Sequence, residues 1–485
     1  MLGRGPPTQE QRRAARGDGR LGGRSVRGEV IGCSIVLGLL LGGASIVGIA
    51  DAAARCTNCV TAGASYVALR VPPGTPLAGY GGMQRRLVFP DVFDRYAHAF
   101  WFRPSVGEHD PVASRALVLE SRAARLVWVT LDLIAVDGPF TRAVQGRLAR
   151  AGVPAATLIV SASHTHSGPG AFMDSELRGL VAVDRLDPVV RDALVEGVVT
   201  AVRRADGARA PALVAATRVT APAVTVSRLG KPLDSEIVVV KVTSAAGEPL
   251  ALVWNFAIHG TMLPARNLHL SGDVMGATSA LLEQRLGAPA LFVNGAVGDV
   301  SPAAHGVAAL RATAGALAAT VEAGWAQAKP VPVTTLRVAR RTVALPRPAV
   351  SLKRCVGRWV PGFLAIPLGF DLPAETELLA AAIGDTAWVT IPGELQTSFG
   401  QAIKGEARGL FASVFLAGLS NDYLGYFMRL EDTRGKGYVA CATLYGPDAG
   451  ACLTDAAIEL LYRLGERPRP LTRPSPLCDS GSGTR

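Results

Sequence analysis

The chain has 485 residues, 49% hydrophobic and 18% charged, with 54 Gly and 32 Pro. It is too apolar for a disordered protein, shows no solenoid-length repeat, and contains a single segment able to cross a bilayer, which excludes a repeat array and a polytopic membrane protein. The net charge is +11, of which residues 1–28 supply +5, and no basic stripe with interleaved aromatics runs through the body, so the charge does not point to nucleic acid.

In chain order, residues 1–29 read as a basic cytoplasmic arm or a signal n-region. Residues 30–54 read as a transmembrane signal-anchor or a signal peptide: Val30 to Ala50 carries no charge, and Ala50, Ala52 and Ala54 also fit a signal-peptidase site. The chain is therefore expected to be exported, either membrane-anchored or secreted or periplasmic after cleavage. Setting aside Cys33, which lies in that segment, six cysteines remain: Cys56, Cys59, Cys355, Cys441, Cys452 and Cys478. Outside the cytoplasm they are disulfide candidates, and Cys441 with Cys452 would close a short loop. The Cys56–Cys59 pair reads as structural or as part of a stalk.

The folded part is expected to start near Ala62. Strands are expected over 64–71, 95–102, 116–120, 126–136 and 157–161, with amphipathic helices over 139–151 and 188–205. A second series follows: strands 236–243 and 250–258, a helix over 274–286, a short buried strand at 290–293 and a helix over 304–326. Beyond a Pro-rich stretch at 345–373 come strands 378–383 and 388–391, a helix over 395–407, a strand at 412–417 and a helix over 454–464. Strands alternating with helices argue for one large α/β (mixed α+β) domain over 62–465, with mixed sheets and flanking helices. The tail, 466–485, is rich in Pro, Ser, Gly and Arg and reads as disordered.

The chemistry concentrates where strands end. A buried strand runs into His164 and His166, in SHTHSGPG; residues two apart in a strand share a face, so the two imidazoles are expected on one face, which suits a metal or a metal plus a general base. His259 follows the run 250–258, Ser301 lies in NGAVGDVSP after another, and Glu394 follows IPG. Glu394 is a possible hard ligand or a helix-start acid. His98 reads as a satisfied strand histidine, and His109, His269 and His305 as surface or supporting groups. Asp132 reads as structural or near the site, Asp273 as a helix-start acid and Glu283 as a solvated-face acid.

SHTHSGPG, NFAIHGTML, GDVSP, IPGEL and the stretch from Asn421 to Pro447 together resemble, in order, the signature blocks of the neutral, non-lysosomal ceramidases. The resemblance runs from about Ala64 to Leu464 and implies a ceramidase-like catalytic domain with a zinc-dependent amidase site. Zn2+ would be held by His164, His259, Glu394 and Tyr426. His166 would serve as a supporting or acid–base residue, Ser301 matches the family's essential serine, Tyr438 a second active-site tyrosine, and Arg228 a substrate-contacting arginine. The implied substrate is ceramide or a related N-acyl lipid at a membrane surface. A same-fold zinc hydrolase of a non-sphingolipid amide or ester, or a non-catalytic membrane-associated binding protein, are the alternatives. Four departures bear on the lipid. GDVSPN becomes GDVSPA and THTH becomes SHTH. The stretch between Ser301 and Glu394 is short, and the chain ends where the family's immunoglobulin-like domain is expected to begin.

Overall fold

The computed structural model describes residues 58–470, except Arg358, Gly435 and Lys436. The basic arm, the apolar segment, Cys33, Cys56, Cys478 and the tail beyond Pro470 lie outside the described residues. Among the described residues, no helix is long and apolar enough to cross a membrane.

Nine strands form one long sheet: β1 (Thr61–Ala68), β2 (Ala113–Glu120), β3 (Arg125–Leu131), β4 (Thr157–Ala162), β5 (Ala210–Thr220), β6 (Glu236–Ser244), β7 (Pro249–Phe256) and β8 (Ala290–Asn294) along its path, and the two-residue strand Val331–Pro332 beside β5. Their spatial order is β8-β7-β6-β5-β1-β2-β3-β4. The inner pairs are antiparallel, while β3 with β4 and β7 with β8 run parallel. β1 and β5 pair only through Thr61 with Pro211 and Ala62 with Ala210. The sheet bends at this seam, so that β8 packs against β3 and β4 at the far edge. A second sheet contains β9 (Leu336–Ala344), β10 (Glu375–Ile383), β11 (Thr386–Thr390) and β12 (Ser413–Ala417), with β11 and β12 parallel.

Period-two alternation assigns each strand two apolar faces. One set (Leu117, Trp128, Val240, Val253, Leu379, Trp388 and Phe415 among them) meets in a core shared by both halves of the long sheet and the second sheet. There Trp128 stacks on Trp388, with centroids 4.9 Å apart, and Asn255 Nδ2 on β7 donates to Val293 O (2.9 Å) and Leu416 O (2.8 Å). The opposite faces bury helices. α1 (Gly138–Arg150) and α2 (Pro188–Gly207) cover β2–β4. α3 (Asp273–Leu286) and α4 (Val307–Gln327) cover β6–β8, and α5 (Thr397–Ala407) and α6 (Ala449–Leu464) cover the second sheet. α1 and α2 begin where the sequence predicts because Asp137 and Asp187 cap them, accepting from Phe140 N (2.9 Å) and Val189 N (2.8 Å), each with Pro at the first helical turn.

Several expectations are corrected. Residues 95–102 form no strand: the Asp184 carboxylate takes the backbone N–H groups of Phe100, Trp101 and Phe102, and Asp91 takes that of Tyr96, so the ladder loses its donors. His98 is satisfied, by Asp187 Oδ2 at 2.7 Å, but from a loop. β5 is an eleven-residue strand that the pattern hid, because Ala and Pro fill positions where β-branched residues normally signal one. Cys441 bonds to Cys355, not Cys452, and Cys59 and Cys452 are each disulfide-bonded as well. Glu283 is not a solvated acid: with Asp132 it brackets the buried Arg115, at 2.7 and 3.1 Å. The first residues of the expected disordered tail lie on the body, where Arg469 pairs with Asp455.

Trp128 fills the point where three strand faces meet, so Trp128→Ala leaves a cavity that its neighbours cannot close. The expected cost is about 3–5 kcal/mol, read as a lowered urea midpoint with an unchanged slope.

Candidate metal centre

β4, β7, β8, β11 and β12 end on one side of this core, and their following loops supply the site. After β4, Ser163 N donates to Leu131 O (2.8 Å) and His164 N to Leu133 O (2.9 Å). His164 takes the left-handed conformation, φ 74°, unusual for a residue with a side chain. The two histidines therefore do not share a face by strand alternation; the turn brings them together, with ring centroids 5.0 Å apart.

The His259 segment is zipped alongside. Gly260 N donates to His164 O (3.2 Å), and His166 N donates to Gly260 O (2.8 Å). A Cβ on residue 260 would lie 2.5 Å from His164 O and 2.6 Å from Thr165 Cα, so only glycine allows this approach. Asn294 Nδ2, at the last residue of β8, donates to both Ser163 O and Ile258 O at 3.0 Å. Glu394 is not a helix-start acid. Glu394 and Leu395 pair in parallel with Tyr426 and Phe427, and α5 begins only at Thr397, whose N–H and hydroxyl donate to Asp299 of the GDVSP loop.

Three donor atoms converge. His164 Nε2 lies 3.0 Å from His259 Nε2, and Glu394 Oε2 lies 3.4 and 3.3 Å from these nitrogens. Ligands at ordinary zinc distances in a tetrahedral shell stand about 3.3 Å apart, so the triangle fits a divalent cation. His164 Nδ1 donates to Ile134 O (2.7 Å), which leaves the Nε2 lone pair free for a metal. Glu394 Oε2 and both ring nitrogens of His166 are buried without a well-formed hydrogen bond. His164, His166 and His259 also have one donor atom each within 4.8 Å of one another, so His166 borders the same space.

The electrostatics agree. Burial, then the neighbouring His164, Arg228 and His166, holds His259 well below the ordinary imidazole range. Burial, then His164 and Arg85, does the same for His166, so both rings stay neutral as ligands require. Burial alone would raise the Glu394 carboxyl. The His164 ring beside it and the approach of the His164, Tyr426 and Tyr423 side chains outweigh that and hold it below its usual value, hence ionised.

A cationic arm completes the cluster. Residues 225–227 pair with 300–302, which places Arg228 beside Ser301. Arg228 Nε donates to Ser301 Oγ (2.8 Å) and Nη1 to Tyr426 Oη (3.2 Å). Tyr426 packs edge-on against Tyr438, centroids 5.7 Å apart. Tyr438 is 65% exposed, but its hydroxyl end is buried, which together with the charge on Glu394 pushes its pKa up to about 12. All eight residues singled out in the sequence thus form one connected cluster. It opens on a cavity of about 360 Å³ bounded by His164, His166, Glu394 and Tyr438 on one side and by Met173, Val181, Val183, Leu372, Leu424 and Leu444 on the other.

Residues 99–319 match a family model described as neutral/alkaline non-lysosomal ceramidase, N-terminal. That match takes in somewhat less than half of the chain. The matched region includes His164, His166, Arg228, His259 and Ser301; Glu394, Tyr426 and Tyr438 lie beyond it. Neutral ceramidase B of Dictyostelium discoideum is 26% identical over 175 residues, 31% of this chain and 24% of that protein, so the match spans about a quarter of that relative. Neutral ceramidase from Pseudomonas aeruginosa shares the fold, with TM-score 0.72 and 20% identity over 85% of this chain and 75% of that one. A ceramidase complexed with C2 gives TM-score 0.71 and 19% identity over 85% and 76%.

Two groups escaped the sequence reading. Tyr423 Oη donates to Glu394 Oε1 (2.7 Å) and so fixes the carboxylate that aims Oε2 at the histidines. Arg85, fully buried, donates to His166 O (2.7 Å) and Ala78 O (2.9 Å). Tyr423 sits in the same block as Tyr426, and only its spacing from Glu394 in space, not in sequence, marks it. Arg85 lies in a loop with no strand or helix signal.

Gly260→Ala should pry the His259 segment from His164 without touching a donor atom. Zinc titration of the metal-stripped chain is expected to show affinity weakened by about 10–100-fold, the usual cost of disturbing a ligand's support.

Proposed function

We propose that this chain is a zinc-dependent amidohydrolase that cleaves the amide bond of ceramide or a related N-acyl lipid to a fatty acid and a sphingoid base. The observation that carries this reading is the His164–His259–Glu394 triangle at the wall of an apolar cavity. Such a cavity suits a hydrocarbon chain, with a few polar groups fixing the reacting bond. His164, His259, Glu394 and Tyr426 would hold the ion, with His166 next to them. A bound zinc ion supplies Lewis acidity, lowering the pKa of water and polarising a carbonyl.

The protein's own groups account for the rest. Hydrolysis joins the oxygen of water to the carbonyl carbon, breaks the C–N bond and sends a proton out with the amine. Charge grows on the carbonyl oxygen, and Arg228, held between Ser301 and Tyr426, is the fixed cation next to that space. Among the described residues, Ser301 Oγ accepts from Arg228, and no imidazole or carboxylate hydrogen-bonds it. That favours a serine that orients water over one activated as a nucleophile. Tyr426 and Tyr438 keep their protons, since burial and then Glu394 raise both, and they remain donors towards the leaving group.

We further propose that the chain works outside the cytoplasm, anchored or released. The apolar stretch 30–50 and the Cys355–Cys441 disulfide support this reading.

The test is hydrolysis of a fluorescent short-chain ceramide with metal content measured on the same samples. The parent should turn over with about one zinc per chain, the stoichiometry of a single tetrahedral site. His164→Ala should lose both metal and turnover. Ser301→Ala and Arg228→Ala should keep the metal, and Arg228→Ala should lose about 10²–10³ in kcat. Bound zinc without ceramide turnover would discard the lipid assignment, and no bound metal would overturn the mechanism.

A further inference from the structure

Two loops outside the metal centre expose large apolar side chains that nothing among the described residues covers. The first, residues 83–93, presents Met83, Val88, Phe89, Val92 and Phe93. The second is the connection of a small hairpin, in which Ala349–Ser351 pairs with Ala365–Pro367, together with the residues just after it. It presents Trp359 (80% exposed), Phe363 (83%) and Phe370 (79%), with Leu364 and Ile366 between them. Soluble surfaces scatter such residues singly; contiguous aromatic and aliphatic tips mark an interaction site.

Both loops are fastened to the wall of the apolar cavity. In the first, Arg86 Nη2 donates to Leu180 O, and Gly81 lies so close to Val181 O that a Cβ would sit 2.2 Å from it. Val181 lines the cavity and is itself half exposed. In the second, Val350 and Leu372 line the cavity from the two ends of the loop, and Cys355 is bonded to Cys441, another lining residue. The exposed apolar tips therefore continue the cavity lining out to the surface.

The charge pattern selects the occupant. From 345 to 372 the sequence carries Arg347, Lys353, Arg354 and Arg358 against one acid, Asp371. That acid is already engaged, accepting from Ser175 Oγ (2.7 Å) and Glu176 N (3.0 Å). Aromatic tips in a stretch with an excess of basic residues match the boundary of an anionic bilayer, where rings sit at the headgroup level and basic side chains are drawn to the surface potential. A second copy of the same basic face would instead meet like charge.

The geometry points to a membrane-docking surface: the 83–93 and 356–370 loops insert their aromatic tips into an anionic lipid surface and join the bilayer to the mouth of the cavity. The reason for such a surface rests on the lipid-substrate reading above, but its test does not.

Of six tryptophans, Trp128, Trp254, Trp325 and Trp388 are buried, Trp101 is half-buried, and Trp359 stands at a loop tip. The full chain is mixed with vesicles of equal parts phosphatidylcholine and phosphatidylglycerol, with and without brominated acyl chains. The N-terminal apolar stretch contains no tryptophan, so its own entry into lipid gives no signal. The expected result is a blue shift of tryptophan emission, and quenching by the brominated chains, both lost in Trp359→Phe. The quenching should fall in vesicles of phosphatidylcholine alone and in 1 M salt, where the Debye length shrinks to about 3 Å. Phe363→Ser with Phe370→Ser should abolish the quenching while leaving turnover of a water-soluble short-chain substrate unchanged. Quenching without any hydrolysis would keep the docking surface and remove only the substrate assignment. Emission indifferent to brominated lipid would overturn the proposal. So would a blue shift that follows protein concentration without vesicles, since a second copy would then cover the patch.

Discussion

The pair of backbone hydrogen bonds between Gly260 and the His164–His166 turn is the constraint on which the centre depends. Neither histidine segment is a regular strand at that point, and neither could hold its ring in place alone. Each bond fixes the other segment's backbone, and the missing Cβ at residue 260 sets the spacing that leaves two Nε2 atoms 3.0 Å apart. The left-handed backbone at His164 is tolerated because carbonyls on both sides, Leu133 O and Ile134 O, take up its donors. Glu394 meets the pair only because its own short strand pairs with Tyr426, so a third backbone register completes the triangle.

Much of this was legible in the sequence, for identifiable reasons. Strands such as β7 and β8 are nearly continuous apolar runs, as parallel strands covered on both faces must be, and α1 and α2 start with an Asp cap and a Pro in the first turn, which leave little choice of boundary. The polar residues that interrupt those runs at their ends were the site, because a buried strand end is where a loop can present a side chain on a rigid base. What the sequence did not carry was side-chain competition for the backbone. Asp184 draws three consecutive N–H groups out of a segment whose composition says strand. Nor does composition tell which of six cysteines meet, since Cys355 and Cys441 are 86 residues apart and a nearer partner was available on paper.

Charge buried away from the centre follows the same logic of enclosure. Arg115, Asp132 and Glu283 link β2, the end of β3 and α3 in one hydrogen-bonded group. Burial still leaves Asp132 raised to about 6, despite Arg115 beside it. Removing one member would strand the others without water, which is more costly than the net worth of the pairs. Arg85 is a different case, a buried cation satisfied mainly by carbonyl oxygens, and its position behind His166 makes it part of the scaffold of that ring.

The donor triangle draws one member from each strand face around the common core: His164 past β4, His259 past β7 and Glu394 past β11. Any cation held there ties the long sheet to the second sheet, so its binding free energy is also cohesion of the core they share. Affinity for the ion then becomes a gauge of how the layers are aligned. A substitution at the Trp128–Trp388 stack, which contributes no donor atom, would then register as a change in metal retention as well as in stability.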